Sequence, residues 1–378
     1  MNPKKSTILI IAGEESGDIH AANLISEMLK RDNSLQFYGI GGERMKKAGV
    51  ELFYHTREMA FLGFFEVIKH LPFIRRVYNT MTRSLKERHP DLVILVDYPG
   101  FNIRFAKEAK KQKIPVVYYI SPQVWAWKKK RVNTIARRIS KMIVLFPFEV
   151  ELYETKGVDV TFIGHPLKDV VKPAYSREAF LKQYGLNSTA PILSLLPGSR
   201  KQEVEKLLPA MIKGFSLLKQ RIPKLQAIIA RVDNLDETLY RTIIKDETIP
   251  LATNETYDVI SHADAALVAS GTATLETAIL ETPMVILYKI SFLSYLIGRA
   301  VVKLNNFGLV NIVAEKMIVP ELLQHQVTGE NIAQKMYPLL TDTKQISQVK
   351  KKLNRVNTLL GNPGASKRGA EVILNILK

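Results

Sequence analysis

Short apolar runs alternate with amphipathic stretches from one end of this chain to the other, and that alternation leaves few folds open. The run Thr7–Ala12 is followed by a glycine turn, then by Leu24, Ile25, Met28 and Leu29 at helical spacing. Parallel strands need crossover connections, usually helical, so the pattern predicts parallel α/β sheets. In the first half the runs predict strands at Thr7–Ala12, Gln36–Ile40, Leu92–Asp97, Val116–Ser121, Met142–Phe146 and Thr161–Ile163. Gly49 reads as the stop of a short helix over Glu43–Ala48. The polar, proline-bearing "GHPLKDVVKPAYSREA" reads as a linker. The pattern then restarts with "PILSLLPGSRKQEVEKLLPAM" and continues through strands expected at Gln226–Arg231, Ala265–Ala269 and Met284–Tyr288. The expected class is α/β, with two successive Rossmann-like, doubly wound domains facing a cleft. The boundaries fall at residues 1–168 and 169–355, and residues 356–378 form a C-terminal helix expected to pack back toward the first domain. A length of 378 residues suits two domains of roughly 100–200 residues each. Ligands of such sheets sit beyond the carboxyl ends of the strands.

Composition removes several chemistries. There is no cysteine, so disulfides, thiolate metal sites and a thiol nucleophile are excluded. The seven histidines are scattered without metal-ligand spacing, and no metal or other cofactor is expected. The N-terminus lacks the pattern of a signal peptide. No stretch reaches the roughly 18 consecutive apolar residues of a spanning helix, and Met284–Val302 is broken by Lys289 and Arg299. The net charge of +18 asks for an anionic partner. Between Glu108 and Glu149 there is no acid, while Lys128–Arg131, Arg137, Arg138, Trp125 and Trp127 all fall there. A solvated helix face and a polyanion-binding face both explain that window.

The turns carry the candidate chemistry. In "IIAGEESGDIH", Gly13 and Gly17 lack the spacing of a dinucleotide loop, and Glu14, Glu15 and Asp18 would repel a diphosphate. The second half supplies what that loop lacks. In "LLPGSRKQEVE", Gly198 permits close backbone approach, Ser199 is a candidate N-cap, and Arg200 suits a phosphate at a helix start. In "ASGTATLE", Ser270, Gly271 and Thr272 open a helix, and Glu276 could accept hydrogen bonds from a ribose diol or merely complement the helix dipole. Two such helix starts point to a nucleotide diphosphate. In "VILVDYPGFN", Asp97 ends a strand, where a general base or a structural aspartate would sit; Asn102 is a candidate cap of the next helix. The run "MAFLGFFEVIKHLPFIRR" puts Phe61, Phe64, Phe65 and Ile68 beside Arg75 and Arg76, which describes either core packing or a surface dipping into an anionic membrane.

Taken together, the motifs "GEESGD", "GIGGERM", "MAFLGFFEV", "DYPGFN", "SPQVWAWKKKR", "FPFE", "GHPL", "LLPGSR", "ASGTATLE" and "VPELLQ" resemble the lipid-A-disaccharide synthase family, glycosyltransferases of the two-Rossmann-domain GT-B type. The resemblance covers nearly the whole chain. It departs at "FGLVNIVAEK", with Val310 where similar proteins have proline and Glu315-Lys316 where they have glycine-arginine. It implies a metal-independent, inverting reaction of UDP-diacylglucosamine with diacylglucosamine phosphate (lipid X). It implies Asp97 as base, Glu14, Glu15, Ser16, Asp18 and Asn102 on the acceptor side, and a UDP site of Gly198, Ser199, Arg200, Ser270, Gly271, Thr272, Glu276 and Asn311. The implied location is peripheral, on the cytoplasmic face of the inner membrane, held to its anionic surface by the Phe61–Arg76 patch. A homodimer stays open. A UDP-N-acetylglucosamine epimerase or another UDP-hexosamine transferase would share the fold. No nucleic-acid-binding motif accompanies the positive charge.

Overall fold

The computed structural model of the chain describes residues 5–59, 70–122, 130–245, 248–289 and 306–377. The chain divides into two compact units, Met1–Asp169 with Leu360–Lys378, and Val170–Leu359.

The first unit is built on β1 (Thr7–Ala12), β2 (Gln36–Gly41), β3 (Glu51–His55), β4 (Leu92–Val96), β5 (Val116–Tyr119), β6 (Lys141–Val144) and β7 (Asp159–Phe162). All are parallel, in the order β3-β2-β1-β4-β5-β6-β7. Residues Ile8 to Ala12 and Leu92 to Val96 are fully buried, because helices cover both faces of the sheet. On one face Leu9, Ile11, Val93 and Leu95 join a core with Val77, Met81 and Leu85 of helix Leu71–Arg88 and Phe105 of helix Pro99–Lys111. Each such side chain contributes about 1.5–3 kcal/mol by leaving water. Helix Ala365–Leu377 packs on helix Glu15–Leu29, with Arg31 paired to Glu371 at 3.0 Å. The backbone N–H of His165 donates to the Leu360 carbonyl at 2.8 Å, and the Arg368 guanidinium donates to the Ile163 carbonyl at 2.6 Å.

The second unit repeats the plan with β8 (Ile192–Leu196), β9 (Gln226–Arg231), β10 (Leu251–Thr253), β11 (Ala265–Ala269), β12 (Met284–Tyr288) and β13 (Glu321–Leu323). Its order is β10-β9-β8-β11-β12-β13, again parallel. In each unit the chain reverses its direction of winding beside its first strand. The switch points lie between β1 and β4, where Ala12 pairs with Val96, and between β8 and β11, where Leu196 pairs with Val268. The turns that follow these four strands carry Gly13, Asp97, Gly198 and Ser270.

Several strand ends differ from the sequence reading: β2 runs on to Gly41, β6 spans Lys141–Val144 and β7 spans Asp159–Phe162, and two others stop at a left-handed residue. Asp97 has φ +42° and Ile120 has φ +70°, so β4 and β5 stop at Val96 and Tyr119 rather than at Asp97 and Ser121. Among the described residues no helix is long and apolar enough to cross a membrane.

Candidate active site

In the first unit, β4 delivers Asp97 to the switch point. Asp97 and Tyr98 both take the left-handed conformation, with φ +42° and +45°. Neither is glycine, so each carries about 1–2 kcal/mol of steric cost. The Asp97 carbonyl accepts hydrogen bonds from the Tyr118 hydroxyl at 2.6 Å and from Asn102 Nδ2 at 2.8 Å. Asn102 Nδ2 also reaches the Val96 carbonyl at 3.1 Å. Burial pushes the Asp97 carboxyl up to about 7, the negative charge of Glu14 adds to the rise, and a hydrogen bond from the Tyr98 backbone opposes it. Burial holds His20 down at about 4 and His165 at about 3, so these imidazoles are weaker proton acceptors than that carboxylate.

The five acceptor-side assignments now divide. Glu14, Glu15 and Ser16 are exposed at the start of helix Glu15–Leu29. Asp18 is buried, and its carboxylate accepts from the backbone N–H groups of Gly42, Met45 and Arg44 at 2.6, 3.0 and 3.1 Å. It caps helix Glu43–Lys47, whose own N-cap, Gly42, has no side chain to do so. Asp18 is therefore not free for sugar hydroxyls, which corrects the sequence reading. Asn102, unlike Asp18, is not a cap. It is the fourth residue of helix Pro99–Lys111, fully buried, and it ties the helix to the end of β4.

In the second unit the turn after β8 is closed by a residue the sequence reading passed over. Glu203 Oε2 accepts from the backbone N–H groups of Ser199 at 3.1 Å and Arg200 at 3.3 Å, and Glu203 Oε1 meets Arg200 Nη1 at 3.3 Å. The N-cap of helix Lys201–Arg221 is thus Arg200, not Ser199. Gly198 sits at φ +107°, and a Cβ there would lie 2.4 Å from Glu203 Oε2. The glycine is required by this capping box, and the backbone groups next to it already have an anion. What remains for a ligand is the Arg200 guanidinium, whose side chain is 73% exposed. The "S-R-K-Q-E" spacing carried the signal for Glu203.

After β11, Ser270 Oγ donates to the Phe307 carbonyl at 3.1 Å. Gly271 and Thr272 lead into helix Ala273–Ile279, and the Thr272 side chain makes no capping bond. Burial pushes the Glu276 carboxyl up to about 7, and Tyr257 feels its charge. Asn311 is fully buried and has no capacity left for a nucleotide, which corrects its assignment. Its Nδ2 donates to the Val319 carbonyl at 2.9 Å and to Glu321 Oε1 at 2.7 Å, and its Oδ1 accepts from the N–H groups of Ile318 at 2.8 Å and Val319 at 3.1 Å. Glu321, also missed, accepts from Phe307 N–H at 2.8 Å and Gly308 N–H at 2.9 Å. Asn311 and Glu321 together shape the segment against which Ser270 rests.

Arg75 and Arg76 are exposed on helix Leu71–Arg88, while Phe73 and Ile74 pack against the core. Phe61, Phe64, Phe65 and Ile68 lie outside the described residues, as do Trp125, Trp127, Lys128 and Lys129. Among the described residues no group of His, Asp and Glu gathers as metal ligands.

The profile of a family described as lipid-A-disaccharide synthetase matches residues 8–376. A lipid-A-disaccharide synthase from Syntrophus aciditrophicus is 45% identical over 381 residues, covering 100% of this chain and 99% of that protein. Among solved structures, a putative UDP-N-acetylglucosamine 2-epimerase from Listeria monocytogenes superposes with a TM-score of 0.65 at 13% identity, covering 98% of this chain and 96% of its own. A calicheamicin glycosyltransferase gives a TM-score of 0.65 at 16% identity, covering 99% and 98%. These two share the fold alone, which is that of GT-B glycosyltransferases and epimerases. The match along the whole chain decides between them: the chain belongs to the lipid-A-disaccharide synthase family, enzymes of lipid A biosynthesis.

Proposed function

We propose that the protein condenses UDP-2,3-diacylglucosamine with 2,3-diacylglucosamine 1-phosphate (lipid X), giving the lipid A disaccharide phosphate and UDP with inversion. The acceptor hydroxyl attacks the anomeric carbon from the face opposite the diphosphate. The new C–O bond forms as the bond to UDP breaks, and the hydroxyl proton passes to Asp97. The observation that carries this reading is the Asp97 carboxyl, held at a switch point and raised to about 7 by burial. An acceptor-side Glu14 close enough to influence that carboxyl supports it. Arg200 and the helix start at Ser270, Gly271 and Thr272 meet the charge that develops on the leaving diphosphate, and Glu276 takes the ribose. No metal is needed for these steps. Attachment is peripheral, on the cytoplasmic face of the inner membrane, because both substrates are acylated and Arg75 and Arg76 offer exposed cations.

The test is a mass spectrum of the products from the two substrates, followed by kinetics of Asp97→Asn. The expected result is the disaccharide phosphate with the parent protein and a turnover lower by about 10²-fold or more in the variant, at unchanged UDP affinity. Near-normal turnover in the folded variant removes Asp97 from the role.

A further inference from the structure

Gly13 follows β1 in a turn that resembles a phosphate loop, yet its φ is not positive and no helix-capping bond depends on it. Its lack of a side chain has another use. A Cβ at this position would lie 2.3 Å from Cδ1 and 2.5 Å from Cγ of Tyr98. The Tyr98 ring fills that space, and on another side it stacks on Phe101 with centroids 6.2 Å apart. Tyr98 is the second of the two left-handed residues, so fixing its ring fixes the turn that carries Asp97. From beneath, Tyr118 and Asn102 grip the Asp97 carbonyl at 2.6 and 2.8 Å.

We infer that Gly13, Tyr98, Asn102 and Tyr118 are positioning residues that hold the Asp97 carboxylate in its working place, an inference that rests on Asp97 being the general base. A left-handed pair of non-glycine residues relaxes unless its surroundings over-determine it. Here the ring contact restrains one side of the turn and the two donors restrain the other. Asn102 can present only its amide nitrogen to the Val96 and Asp97 carbonyls, since its oxygen would be repelled by both. The opposite oxygen, Oδ1, is buried without a partner, so the side chain is committed to gripping the backbone at the expense of its own satisfaction. If the turn relaxes, the carboxylate moves and becomes better hydrated, and its proton affinity falls.

The experiment measures kcat, KM and their pH profiles with both substrates for Tyr118→Phe, Gly13→Ala, Tyr98→Ala and the double variant Gly13→Ala/Tyr98→Ala, with Asp97→Asn alongside. Tyr118→Phe and Gly13→Ala are each expected to lower kcat about tenfold, leave KM within about twofold, and move the acidic limb of the kcat profile to lower pH. In the Tyr98→Ala background, where no ring is left to displace, Gly13→Ala is expected to cost less than about twofold more. Loss of activity in Asp97→Asn, with both single variants keeping their kcat and their acidic limb, overturns the inference while sparing Asp97. A lowered kcat with a raised KM and an unmoved limb also overturns it, because that pattern is general damage. Normal turnover of Asp97→Asn instead removes the base reading itself. Should Gly13→Ala not fold, Tyr118→Phe decides alone, since it deletes one oxygen and no packing.

Discussion

A carboxyl that holds its proton up to about 7 in the folded chain, and only to about 4 in an unfolded one, makes stability fall as pH rises between those values. Over that window the fold keeps a proton that the unfolded chain gives up. Asp97 and Glu276 both behave so. Asp97→Asn and Glu276→Gln should each raise the melting temperature by several degrees at pH 8 and give no such gain near pH 4, as scanning calorimetry at the two pH values will show. With Asp97 as the proposed base, the same burial suits function, because a base that titrates near 7 is matched to neutral operation; turnover should then rise as pH passes through about 7. On the nucleotide side, Arg200→Ala should weaken UDP binding by roughly 1.5–3 kcal/mol, and Glu276→Gln should weaken UDP and uridine alike. Calorimetry that finds both affinities unchanged would move the donor elsewhere. At this scale the sequence was a mixed guide. The place of Asp97, just past the end of β4, was legible because an apolar strand visibly ends there. Asp18 and Asn311 were misread because a polar side chain near a strand–helix turn has the same local pattern whether it meets a ligand or a backbone. The N–H groups that Asp18 satisfies lie 24 to 27 residues further along the chain, on the segment after the neighbouring strand β2.

Elements show where local spacing suffices and where it fails. Strands β1, β4, β8 and β11 are buried on both faces, so their continuous apolar runs are unmistakable. The edge strands β3, β10 and β13 are short or half-exposed and carry no such run, which is why the sequence did not reveal them. The stretch of residues 307–320 is an element of another kind, a loop and short helix Leu309–Val313 fastened by Asn311 and by Glu321 at the start of β13. After that helix Glu315 sits at φ +55°, with its N–H donating to the Ile312 carbonyl. This is the place at which a helix end favours glycine, and glycine is what the resemblance drawn from the sequence would put there. Glu315→Gly should therefore stabilise the chain by about 0.5–1 kcal/mol, the relief of left-handed strain less the added freedom of the unfolded glycine. Urea unfolding measures it; a loss of stability would mean that the Glu315 side chain makes a contribution its exposure hides.

The molecule as a whole carries a charge of +18, and Arg75 and Arg76 are exposed on a helix whose inner face is core. If that helix borders an anionic membrane, Arg75→Glu with Arg76→Glu should reduce sedimentation with anionic vesicles, more at low salt than at high, and leave UDP affinity alone. Full sedimentation of the folded variant would place the contact on other residues. The division of the chain has a further consequence. The unit that opens with Thr7 also contains helix Ala365–Leu377, and residues 170–359 fold into a different unit in between. On a ribosome adding ~5–20 residues per second, the first unit emerges long before the helix that covers Glu15–Leu29 has been made. For that interval the apolar side chains meant for the missing helix stand open to other chains. The second unit can finish folding before the first, so the order of completion runs against the order of synthesis.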